Sequence, residues 1–190
     1  MSSTAQPSAR FDHSPPPQSP DLDPAARAAE LKAANINPQT GLATDYLNHF
    51  NEAIMLLEML PCAPECKEDF LAWQPMSYAQ HFAASNFKFR DLAIAAYEAA
   101  DPAYRGQLDE IADQMTTILT ATHDGMTGDL TPDTIRILAE ATTHWLRPLV
   151  ARAGAVINGE LVRGAAQDDA APQDAIDLLF DQSGDAAARA

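Results

Sequence analysis

DPAYRGQLDEIADQMTTILTATHDG, residues 101–125, is the stretch that decides the fold. Asp101-Pro102 pairs a capping carboxylate with a proline at the first helical position, where a missing N–H costs nothing. Leu108, Ile111, Met115, Ile118 and Thr122 then recur at spacings of three and four, which puts them on one stripe of an α-helix. His123-Asp124-Gly125 is expected to close this helix, with Gly125 as a left-handed cap. Glu110 and Gln114 stand one turn apart beside the stripe, free to face a partner.

The same signals repeat on either side. Thr131-Pro132-Asp133 starts a helix lined by Ile135, Leu138, Thr142, Trp145 and Leu149; Pro148 is expected to kink it, and it ends near Asn158-Gly159. Upstream, Leu47, Phe50, Ile54 and Leu57 mark a helix over 42–60, ended by Pro61 and Pro64. Residues 61–76 read as a loop carrying Cys62, Cys66 and Trp73. Ser77 with Gln80 is a capping-box pattern that opens a stretch over 78–100. Its core candidates are Tyr78, Phe82, Leu92, Ile94 and Tyr97, and Asn86 marks an interruption. Asp23-Pro24 begins a short helix over 24–34, broken by the segment Asn35 to Gly41.

These elements predict an all-α protein, an antiparallel helical bundle of about four core helices. Three regions are expected. Residues 1–40 form a disordered head with a short helix, because the first 22 or so are rich in Ser, Pro and Gln. Residues 41–159 form the bundle. Residues 160–190 form an acidic linker and a tethered C-terminal helix. A stripe left wet would be covered by a second copy, so a homodimer is a possible partner state.

The formal charge is -15 and the pI about 4.4. A field of that sign repels phosphate backbones and anionic lipid, so neither nucleic acid nor membrane is an expected partner. Met1 to Ser8 has no basic start and no apolar run, which argues against a secretory signal and for the cytoplasm. In that compartment the two cysteines are expected to be free thiols. Cys62-x3-Cys66 is not a zinc spacing.

One segment carries a functional signal. Residues 164–171, Gly-Ala-Ala-Gln-Asp-Asp-Ala-Ala, read as a flexible acidic linker. Pro172-Gln173-Asp174-Ala175-Ile176-Asp177-Leu178-Leu179-Phe180 follows. Pro172 suits a first helical position and Asp174 the positive end of a helix dipole. Ile176, Leu179 and Phe180 share one face at i, i+3 and i+4. Such a short helix is marginal alone in water and orders when its face enters a groove.

Gln173 to Phe180 resembles the peptides with which bacterial motility proteins grip the receiver protein CheY. The flagellar switch protein FliM carries the form S-Q-x-E-I-D-x-L, and the CheZ phosphatases carry Q-x-x-V-D-x-L-L-D. The match covers about ten residues. Asp185 to Ala190 follow Gly184, whereas CheZ-type peptides end on a hydrophobic residue. The resemblance implies a receiver-domain partner held by Gln173, Asp174, Ile176, Asp177, Leu179 and Phe180, in signalling of the chemotaxis type. It also implies an acid-x-x-x-Gln pair on a helix, in which the amide orients an attacking water and the acid meets the receiver's lysine. Glu110 and Gln114 fit that spacing, and the reaction implied is hydrolysis of a receiver's phospho-aspartate.

Two other readings compete. His49, Glu52, His81 and His144 are the candidate ligands for a metal- or cofactor-binding bundle, although His49-x-x-Glu52 reverses the usual Glu-x-x-His order. A structural or assembly protein needs neither metal nor receiver. The favoured reading requires no cofactor.

Overall fold

The computed structural model describes residues 23–161. Of these, 72% are helical and none lies in a strand, so the all-α class holds. No helix among the described residues is long and apolar enough to cross a membrane.

The frame is an antiparallel hairpin of two long helices, α6 (Pro102–Met126) and α7 (Pro132–Ile157). Each starts as its sequence dictates. The Asp101 carboxylate accepts the N–H of Ala103 at 2.8 Å, and the Thr131 hydroxyl accepts that of Thr134 at 3.2 Å. Both have proline in the first turn. Thr122 and Thr142 meet inside the hairpin with their hydroxyl oxygens 2.9 Å apart. At its far end the Tyr104 hydroxyl donates to the Gly159 carbonyl. α6 does not stop at Gly125. It runs to Met126, whose side chain is fully buried one turn beyond Thr122 and extends the apolar stripe. Thr127 then closes the helix through its hydroxyl, which donates to the Asp124 carbonyl at 2.7 Å. α7 continues through Pro148, and its buried face runs through Leu138, Ala139, Leu146, Ala153 and Val156. Ile135, Trp145 and Leu149 flank that face half-buried.

α2 (Leu47–Met59), entered through a 3-10 turn at Thr44–Tyr46, lies antiparallel on α7. Its stripe of Leu47, Phe50, Ile54 and Leu57 is buried as the spacing predicts. Leu47 approaches Gly154 closely, and Glu58 at the other end pairs with Arg147. That exposed ion pair aligns the helices more than it stabilises them.

The sequence reading differs from the structure in three further places. Part of the expected 61–76 loop is helical: α3 (Cys66–Ala72) forms because Cys66, Phe70 and Trp73 are spaced to bury one face. Pro64 therefore precedes a new helix as well as ending the old one. The 78–100 stretch is two helices, α4 (Tyr78–Ala84) and α5 (Arg90–Glu98). The break falls at Ser85 and Asn86, where the Ser85 hydroxyl donates to the Phe82 carbonyl and accepts the N–H of Phe87. On α5 the buried residues are Ala93 and Ala96, while Leu92, Ile94 and Tyr97 are half-buried. Small residues there let α5 sit close to its neighbours.

The third difference concerns residues 24–40, which the sequence assigns to the head. α1 (Pro24–Ala33) ends at Asn35, in the left-handed region at φ 56, and Ile36 N–H returns to the Leu31 carbonyl. Leu31, Ala34, Ile36 and Thr40 are buried in the core. The Thr40 hydroxyl donates to the Ile157 carbonyl at 2.7 Å, and the N–H of Ala43 donates to the Tyr78 hydroxyl at 2.9 Å. This segment ties α7 to α4. The head proper, 1–22, lies outside the described residues.

Candidate functional site

The richest cluster of polar chemistry among the described residues draws on α2, α4, α5, α6 and the segment between α3 and α4. α2 places His49 on its buried face, next to Phe50. The His49 ring stacks on Trp73, with centroids 4.7 Å apart and planes at 22°. His49 Nε2 accepts the N–H of Met76 at 3.2 Å, and the Trp73 indole N–H donates to the His49 carbonyl at 3.2 Å. The Tyr46 hydroxyl donates to the Met76 carbonyl at 3.1 Å. His81 on α4 completes the group, its ring 5.9 Å from His49 and 5.8 Å from Tyr46.

Burial sets the electrostatics. Burial, with a smaller push from the neighbouring His81, lowers the His49 imidazole from 6.5 to about 4. Burial also lowers His81, but the Asp45 carbonyl, then the charges of Asp45 and Glu52, pull it back. Both rings are thus neutral near pH 7. Burial raises the hydroxyls of Tyr46, Tyr78 and Tyr97 well above the usual tyrosine range. Tyr97 donates to Asp109 at 2.7 Å, and burial raises the Asp109 carboxyl against that bond.

The four proposed metal ligands are not assembled. His49 and His81 are neighbours, but Glu52 and His144 are exposed on α2 and α7. His49 Nε2 already serves Met76. Among the described residues no group of three or more His, Cys, Asp or Glu could hold a metal ion. The thiols are free: Cys66 is buried and Cys62 is exposed.

Glu110 and Gln114 lie on α6, exposed and half-buried respectively. They are one turn apart, beside Asp109 and Asp113. The peptide residues Gln173, Asp174, Ile176, Asp177, Leu179 and Phe180 lie outside the described residues. Trp73, Met76, Tyr46 and Asp109 belong to the cluster but were not singled out as site residues from the sequence. The signal for the first was present, since Trp73 lies one turn past Phe70 and two turns past Cys66. Nothing in the sequence marks the Met76 backbone as a partner for His49.

Compared with known proteins, the chain matches no family model, no curated protein and no solved structure.

Proposed function

We propose that this chain is a regulatory interaction protein whose segment 173–180 is the ligand for a receiver-type domain. The observation that carries the proposal is the pattern Gln173-Asp174-Ala175-Ile176-Asp177-Leu178-Leu179-Phe180, similar to the CheY-binding peptides. It combines an apolar i, i+3, i+4 face with acidic residues at its start. The last helix of the body supports the same reading. α7 is closed by Gly159 at φ 98, and the Glu160 N–H returns to the Ala155 carbonyl, so the last described helix ends before the segment begins. In the sequence, the acidic stretch 164–171 lies between α7 and the peptide.

The sharper form of the proposal is phospho-aspartate hydrolysis. Glu110 and Gln114 are reachable from solvent on a long, well-anchored helix. There an amide can position a water in line with a phosphoryl group, with the carboxylate one turn away on the receiver's lysine.

The test is titration of the full-length protein against receiver domains, with and without beryllofluoride as the phosphoryl mimic. Binding should tighten with the mimic and weaken roughly a hundredfold or more in the Ile176→Ala, Phe180→Ala double variant, since each buried apolar side chain contributes roughly 1.5–3 kcal/mol. Equal affinity of the double variant, or no binding by the native chain, overturns the proposal. Gln114→Ala should bind as the native chain does and lose any acceleration of dephosphorylation.

A further inference from the structure

We propose that the segment Trp73 to Met76 is an acid-released latch, held shut by His49 acting as a hydrogen-bond acceptor. This inference is independent of the receiver-binding proposal.

The segment has no helical structure of its own and joins α3 to α4. Three hydrogen bonds hold it to α2 and the turn before α2. Met76 N–H donates to His49 Nε2, the Trp73 indole donates to the His49 carbonyl, and the Tyr46 hydroxyl donates to the Met76 carbonyl. Two of the three run through one residue. The bond to Nε2 exists only while that nitrogen keeps its lone pair, that is, while His49 is the neutral Nδ1–H tautomer. A proton taken at Nε2 turns the acceptor into a donor facing a second donor, the Met76 N–H. The new charge is buried: His49 is 3% exposed.

The groups around it oppose the charge. His81 faces His49 from α4, and it too would gain a proton in acid. Asp45 and Glu52 act on His81, and so favour the protonated form of the more accessible ring. The Trp73 face attracts a cation, but moving with the segment removes that contact as well. The relief open to the molecule is to let Trp73 and Met76 swing away and admit water. α6 and α7 have no part in these three bonds, so the hairpin can stay folded while the latch opens.

Two measurements on the full-length protein test this. In Trp145→Phe, Trp73 is the one remaining tryptophan. Its emission should change as the pH falls below 6.5 while far-UV circular dichroism still reports intact helices. His49→Gln, which keeps a neutral side-chain acceptor, should remove that step. In the native chain, hydrogen exchange protection at the Met76 amide should drop about tenfold or more on acidification, while Leu119 and Leu146 keep theirs within about twofold. If Trp73 and Met76 open only together with the hairpin, the latch does not exist. A step that persists unchanged in His49→Gln equally overturns the proposal. Should that variant not fold, the exchange pattern of the native chain decides alone.

Discussion

Gly41 shows how much one residue can carry. Its φ is +72, and a Cβ there would lie 2.8 Å from the Ala96 carbonyl oxygen on α5. Gly41→Ala therefore incurs both a left-handed backbone and a clash with main chain that cannot rotate away. A loss of about 3 kcal/mol in urea denaturation is the expected result. His49 gives the second residue-scale prediction. The folded state holds it at about 4 against an ordinary 6.5, so as pH falls the unfolded chain takes the proton first. Stability from this group is complete above 6.5, declines as pH drops from 6.5 to about 4, and is flat below. The integrated loss is about 3 kcal/mol. Urea midpoints followed from pH 7 downward should show the decline in the native chain, and His49→Gln should flatten it. A His49→Gln profile as steep as the native one would assign the acid sensitivity to the carboxylates instead.

Between elements, the Thr122–Thr142 contact is the informative case. Three short contacts join these hydroxyls to each other and to the Ile118 and Leu138 carbonyls. Two hydroxyls supply two protons, so one donates to its own helix and the other donates across the hairpin. Removing one hydroxyl leaves the other with a lone pair or proton unmet in a buried site. Each Thr→Val single variant should cost about 1–2 kcal/mol, and the double variant less than the sum, because valine has the same shape and both polar groups leave together. Additive costs in that cycle would mean that the two hydroxyls do not interact. The capping box of α4 is simpler. The Ser77 hydroxyl accepts the Gln80 N–H and the Gln80 side chain accepts the Ser77 N–H, so Ser77→Ala should cost about 1 kcal/mol. This box was readable from Ser77-x-x-Gln80 because it is local. The division of α4 from α5 was only half readable. Asn86 marks the place, but Ser85 turning back on Phe82 is what breaks the helix.

At the scale of the whole molecule, one substitution pair separates a tethered ligand from a helix docked on the bundle. Ile176→Ala with Phe180→Ala should leave the thermal midpoint within a degree or two if 173–180 is free of the body. It should lower it by several degrees if those side chains are core, since each buried apolar truncation costs about 2–5 kcal/mol. The midpoint is what distinguishes the two.

The sequence by itself determined the class, the two long helices of the hairpin and the main buried stripes of α2 and α6. Periodicity and caps act over one or two turns, and Asp101-Pro102, Thr131-Pro132 and the Leu108-to-Thr122 stripe carry that information in full. Tertiary structure alone decided the rest. It drew Ile36 and Thr40 out of an apparent head into the core, because a buried hydroxyl found the Ile157 carbonyl far away in the chain. It left His144 exposed on α7, away from His49 and His81, because helix rotation is set by neighbours on every side. It made His49 an acceptor for Met76, a backbone group with no sequence signature. Contacts between residues distant in the chain leave no periodic trace, and the chemistry of this protein's interior is built from such contacts.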